Sequence, residues 1–105
     1  MTIPYQFFVC RLLPPRPTFA EDMNETERAV MREHVEYWKG LADQGKAVLF
    51  GPVMDPAGPW GIGIIEARSE AEVHAMQAAD QAIKGSIGLN YETLPMARAI
   101  LRKGA

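Results

Sequence analysis

Ala47-Val48-Leu49-Phe50-Gly51-Pro52-Val53-Met54, Asp55-Pro56-Ala57-Gly58-Pro59 and Trp60-Gly61-Ile62-Gly63-Ile64-Ile65-Glu66-Ala67 follow one another in the middle of the chain. The outer two stretches are rich in β-branched and aromatic residues, and the middle one is built from turn formers. Together they predict two strands joined as a hairpin with a rather long turn. A helix is predicted on each side. Upstream, Asn24 is placed to cap, with Glu27 three residues on, and the helix runs to about Gln44, where Gly45 stands at a natural end. Downstream, Ser69 caps a helix from Glu70 to about Ala79, with Glu72 supplying a carboxylate three residues later, and Gly85, Ser86 and Gly88 mark its exit.

Outside the helices lie two further strands. Tyr5 to Leu13 is apolar and aromatic, and Pro14, Pro15 and Pro17 stop it, with a loop to about Asp22. Tyr91 to Leu101 is the last, with Pro95 confined to an edge or a bulge. The order β-α-β-β-α-β is the ferredoxin-like split βαβ arrangement, an α+β fold with one antiparallel sheet and both helices on a single face. The strands are nevertheless apolar on both faces. Phe7 and Val9 oppose Phe8, Cys10 and Leu12, and Val48 and Phe50 oppose Ala47 and Leu49. Two helices cover only one side, so a homodimer stacked sheet on sheet is expected to bury the other.

The chain has 105 residues and a net charge of −2, which gives one domain over residues 1–105 and no electrostatic argument for nucleic acid or an anionic membrane. No stretch approaches the ~20 apolar residues of a membrane span, and the N-terminus lacks the pattern of a signal peptide. The single cysteine, Cys10, fits a reducing compartment, and a cytoplasmic location is the expectation. Cys10 lies within an apolar strand, which favours a buried, inert thiol.

His34 breaks the pattern of the first helix. At ~100° per residue, Val30, Met31, His34, Trp38, Leu41 and Ala42 share one side, against Arg28, Arg32, Glu33, Glu36, Lys39 and Asp43. An imidazole among core residues marks a candidate site. The second helix repeats the oddity, since Asp80 follows Val73 and Met76 around the same face, and a carboxylate at a helix C-terminus opposes the macrodipole. Two such groups on one sheet face can meet, and a His oriented by an Asp is a general base or acid. Alternatively each is a satisfied core polar group, or Asp80 caps the loop around Gly85.

Arg11 either snorkels from its strand end or binds an anionic substrate group. Gly61 and Gly63 alternate on one strand face, leaving room for a ligand or for close packing. Trp38 and Trp60 are core or interface residues first and pocket walls second. The glycines near residue 60 do not match a dinucleotide fingerprint. Two histidines at unsuitable spacing support no metal site, and His74 reads as a surface residue.

Glu33-His34-Val35-Glu36-Tyr37-Trp38, Leu41-Ala42-Asp43-Gln44-Gly45-Lys46 and Leu49-Phe50-Gly51-Pro52-Val53, followed by Ala78-Ala79-Asp80, Gly88-Leu89, Tyr91-Glu92 and Leu94-Pro95-Met96, resemble the YciI-like (YCII-related) family over residues 5–100. The resemblance implies a dimeric α/β barrel of ferredoxin-like subunits and an active site pairing a helix histidine with an aspartate, here His34 and Asp80. One relative is a dehydrochlorinase of a chlorinated hydroxyhydroquinone, which implies acid-base elimination on small ring compounds. Gln81 replaces the family's usual proline after the aspartate, which loosens the local backbone. The Pro-rich segment from Pro14 to Glu25 is placed to cover the pocket mouth.

The expected function is therefore cofactor-independent lyase or isomerase chemistry on a small molecule. His34 acts as base, Asp80 orients it, and Arg11 or a backbone amide near Gly51 holds an anionic oxygen, with Trp38 against the substrate. The competing readings are a non-catalytic ligand-binding or interaction module and a cofactor-free aromatic monooxygenase.

Overall fold

A computed structural model describes residues 5–104; residues 1–4 and 105, where the expected domain 1–105 begins and ends and where the signal-peptide reading starts, lie outside the described residues. The chain forms β1 (Gln6–Leu13), α1 (Phe19–Asp22), α2 (Glu25–Asp43), β2 (Ala47–Val53), β3 (Trp60–Ala67), α3 (Glu70–Ala78), α4 (Gln81–Lys84) and β4 (Asn90–Pro95). The strands make one four-stranded sheet in the order β2-β3-β1-β4, with every neighbouring pair antiparallel. This is the ferredoxin-like arrangement. Among the described residues, no helix is long and apolar enough to cross a membrane.

The helix caps follow local chemistry. The Asn24 side chain accepts from the Glu27 N–H while the Glu27 carboxylate accepts from the Asn24 N–H, so two orphan donors of α2 are satisfied reciprocally. Gly45 leaves the helix at φ +77°, a conformation that L side chains rarely adopt. Ser69 caps α3 through the Glu72 N–H, but the Glu72 carboxylate reaches the N–H of Arg68 and not that of Ser69.

Four local expectations are corrected. The segment after β1 is not all loop, because the turn Phe19–Asp22 winds into α1 and buries Phe19 beside Leu12, Ala82 and Leu89. Ala42 is exposed, and Tyr37 packs against the core in its place, its hydroxyl donating to the Met76 carbonyl at 2.7 Å. Pairing in β4 stops at Pro95, an edge position facing Phe8, so the strand does not reach Leu101. Finally, Ala47 pairs with Ile65 but Leu49 with Ile64, so a bulge at Val48 resets the alternation. Ala47 and Phe50 therefore share the helix-covered face, where Phe50 lies 5.9 Å from the Trp38 ring.

The core lies between the helices and this face, around Phe8, Cys10, Trp38, Leu41, Ile65 and Val73. Cys10 is fully buried, and burial raises its thiol pKa, as expected for an inert residue. The opposite sheet face carries half-buried Phe7, Val9, Ile62 and Ile64, with Leu49 and Leu94 exposed.

Candidate active site

Asp80 sits in the break between two helices. The chain leaves α3 at Ala79, passes through Asp80 in an extended conformation, and restarts as α4 at Gln81. The conflict with the macrodipole is resolved by this break: Asp80 is the N-cap of α4, with Oδ1 accepting from the Ala82 N–H at 3.0 Å. Gln81 thus occupies the first helical position, where proline is favoured elsewhere but not required. Capping fixes the aspartate without it.

The second oxygen, Oδ2, receives three donors. His34 Nδ1 approaches to 2.8 Å, Trp38 Nε1 to 3.1 Å and the Tyr91 hydroxyl to 2.5 Å. The Trp38 N–H is shared with the Tyr91 oxygen at 2.9 Å. Asp80 is wholly buried. Burial by itself raises its pKa, but the hydrogen bonds from His34, Tyr91 and the Ala82 amide, with the charge of His34, outweigh this and hold it below the usual carboxylate value. Burial, then the neighbouring Asp80 charge, pushes the Tyr91 hydroxyl well above the usual tyrosine value, so it remains a donor.

This circuit decides the tautomer of His34. An ionised carboxylate only accepts, so the hydrogen of the neutral imidazole resides on Nδ1 and the Nε2 lone pair is left available. Nε2 has no hydrogen-bond partner among the described residues. His34 also borders a cavity of about 280 Å³ between α2, the segment 14–23 and the sheet, walled by Leu12, Phe19, Met31, Trp38, Phe50 and Trp60 among others. A base bordering an apolar chamber is an arrangement that suits general acid-base chemistry.

The covering segment is held by Arg16. Its guanidinium grips both oxygens of Glu27 at 2.8 and 2.9 Å, reaches Asp22 at 2.8 Å and lies over the Phe19 ring. The Arg16 bond, helped by the Asn24 amide, lowers the Glu27 pKa to about 2. Pro14, Phe19, Ala20 and Met23 all border the cavity, so this segment forms one of its walls.

The five residues expected at the site are thus divided. His34, Asp80 and Trp38 meet, and Gly51 borders the cavity. Arg11 does not join them: it projects from the other sheet face, pairs with Glu92 at 2.8 Å and stacks 4.4 Å from the Trp60 ring, so its charge is already matched. Tyr91 was not anticipated. Its place opposite Leu12 in β4 brings it over Asp80, a juxtaposition that only the strand register reveals. Gly63 supplies close packing, since the indole of Trp38 lies where a side chain would begin. His74 is exposed beside Glu70. Among the described residues, no three ligating side chains cluster as a metal site.

The family model described as the YCII-related domain matches residues 7–97. A crystal structure of a protein of unknown function from Nitrosomonas europaea is similar, with a TM-score of 0.50 and 16% sequence identity, covering 98% of this chain and 100% of that one. That likeness concerns the fold. No curated protein matches.

Proposed function

The chain belongs to the YCII-related family, and on that premise we propose that it is a small-molecule enzyme in which His34 acts as general base and Asp80 positions it. The observation that carries this reading is the 2.8 Å contact between His34 Nδ1 and the wholly buried Asp80, in a histidine that borders an apolar cavity and has no other hydrogen-bond partner among the described residues. Nε2 takes a proton from a substrate carbon. The C–H electron pair then forms a double bond as a neighbouring leaving group departs with its own pair, which is elimination. In the absence of a leaving group the pair enters an enolate that is reprotonated elsewhere, which is isomerisation. Either way the imidazolium is balanced by Asp80. Trp38 and Gly51 wall the reacting molecule.

Exchange of substrate hydrogen tests the first step without knowledge of the natural substrate. In deuterated buffer, 2-tetralone, an uncharged bicyclic ketone with acidic C–H bonds, is expected to exchange faster with the protein than without it, as followed by NMR. His34→Gln should remove at least about a hundredfold of that acceleration. Acceleration that persists in the variant would show that His34 is not the base. Saturable binding of the ketone with no acceleration would favour a non-catalytic binding module.

The uncovered apolar sheet face supports a second element of the proposal, a homodimer stacked through Val9, Ile62 and Ile64. Sedimentation at micromolar concentration should give twice the chain mass, and Ile64→Lys should give the monomer. A monomeric wild-type protein would refute it.

A further inference from the structure

The cavity beside His34 also says what kind of molecule fits it, an inference that rests on the general-base reading above. No lysine, arginine, aspartate or glutamate is among its described lining residues. Of the polar side chains that do line it, nearly all are committed elsewhere. The Trp38 N–H is shared between Asp80 and Tyr91, the Trp60 N–H donates to Asp55 at 3.0 Å, and the Tyr91 hydroxyl donates to Asp80. The Cys10 sulfur faces Gln77. Apart from the weakly bonding Met23 and Met31 thioethers and the Cys10 S–H, His34 Nε2 is left as the one uncommitted side-chain donor or acceptor among these described residues.

Protonation of His34 does not change the charge argument. An imidazolium here is already matched by the Asp80 carboxylate in contact with its other nitrogen, so a substrate anion would meet no net positive charge. Arg11 lies outside the lining and is spent on Glu92. An anionic group entering these walls would lose its hydration without finding a counter-ion. A ring bearing several hydroxyl groups would face the same difficulty in milder form, because only one of them finds a side-chain partner.

Size narrows the class further. An apolar cavity of ~150 Å³ holds benzene, and this one is about 280 Å³. By proportion it suits a molecule of roughly ten to twelve non-hydrogen atoms. We propose that the site takes an uncharged, largely apolar ring compound of fused-bicycle size, held by contact along the Met31, Phe50 and Trp60 walls and presenting a single acidic hydrogen to His34 Nε2.

Calorimetric titration of the full chain with three probes tests this. 2-Naphthol should bind saturably at one site per chain. 2-Naphthoate, similar in shape but anionic, should bind at least about thirtyfold more weakly, and phloroglucinol, with three hydroxyls and no apolar end, should also be weaker. Ala20→Trp, at an exposed residue bordering the cavity, should cut 2-naphthol affinity at least tenfold with an unchanged circular dichroism spectrum; Val35→Trp, also exposed and on the rim, is the second blocking variant. Equal or tighter binding of 2-naphthoate or phloroglucinol would overturn the proposal, as would 2-naphthol binding that is absent or indifferent to both blocking variants. The two readings fail separately: 2-naphthol binding without His34-dependent exchange spares the ligand class and removes the base, and exchange catalysed only on charged ketones does the reverse.

Discussion

Asp80→Ala is expected to lose about 3–5 kcal/mol of stability, the usual result of removing one member of a buried hydrogen-bonded pair. The reason is arithmetic in donors. The substitution strands the His34 Nδ1–H, the Trp38 N–H, the Tyr91 hydroxyl and the Ala82 amide, of which only the Trp38 group retains a second acceptor, the Tyr91 oxygen. For a chain of this size the melting temperature should fall by roughly 15–30 °C. Asp80→Asn is not a mild alternative. Whichever way the amide turns, its NH₂ faces either the three donors or the Ala82 N–H, so one set of bonds is lost. In an assay on a true substrate it should cost about 10³–10⁴-fold in turnover, because an amide carries no charge to balance the imidazolium and, with its NH₂ towards His34, also holds the wrong tautomer. Tyr91→Phe removes one donor to Asp80 and one of the two acceptors of the Trp38 N–H, which keeps Asp80, and should cost only about 1–2 kcal/mol. Thermal unfolding of the three variants checks the series. An Asp80→Ala protein as stable as the wild type would mean that the carboxylate is not the hub of the site.

Acid should reproduce part of the same loss. Asp80 titrates below its ordinary 3.8 when folded, so between the two values the unfolded chain holds more protons and stability rises with pH. Its contribution is complete above about pH 3.8 and disappears as pH falls through the folded value. Glu27 acts in the same direction over a wider window, from its ordinary 4.5 down to about 2. Melting temperature measured against pH should therefore fall steeply below about 4.5 in the wild type, and less steeply in Asp80→Asn.

What could be read in the residues and what could not has a physical division. The order of elements follows from apolar periodicity and from caps such as Asn24–Glu27, which are local and leave local signals. His34 and Asp80 were legible because each violates its surroundings. The same reasoning misplaced Phe50, because a bulge inserts one residue without any compositional mark and reverses the alternation beyond it. It also missed Tyr91, which reads as an ordinary strand aromatic until the β1–β4 register sets its hydroxyl against Asp80. Arg11 stayed open between two roles for a related reason: its partner Glu92 comes from a strand 81 residues away. Properties carried by register and long-range pairing are invisible to a one-dimensional pattern.

Gly63 leads to the last and most exacting expectation. A methyl group at this position would lie 2.4 Å from Cη2 and 2.5 Å from Cζ3 of Trp38, well inside contact distance. In an open strand, Gly→Ala stabilises by about 0.4–1 kcal/mol through the unfolded chain. Here the clash decides the sign. The indole has no free direction in which to yield, since its N–H is bound to Asp80 and Tyr91 and its face meets Phe50. Moving it sacrifices hydrogen bonds as well as packing, so Gly63→Ala should cost about 3 kcal/mol, or 10–20 °C in melting temperature. The effect acts through Trp38. Trp38→Phe removes the ring atoms that collide, and the double variant should be more stable than the sum of the two single losses by about 1–2 kcal/mol. Strict additivity would break the link between Gly63 and Trp38. Coupling of the expected sign would show that a missing side chain in β3 holds the indole against Asp80, and through it the base.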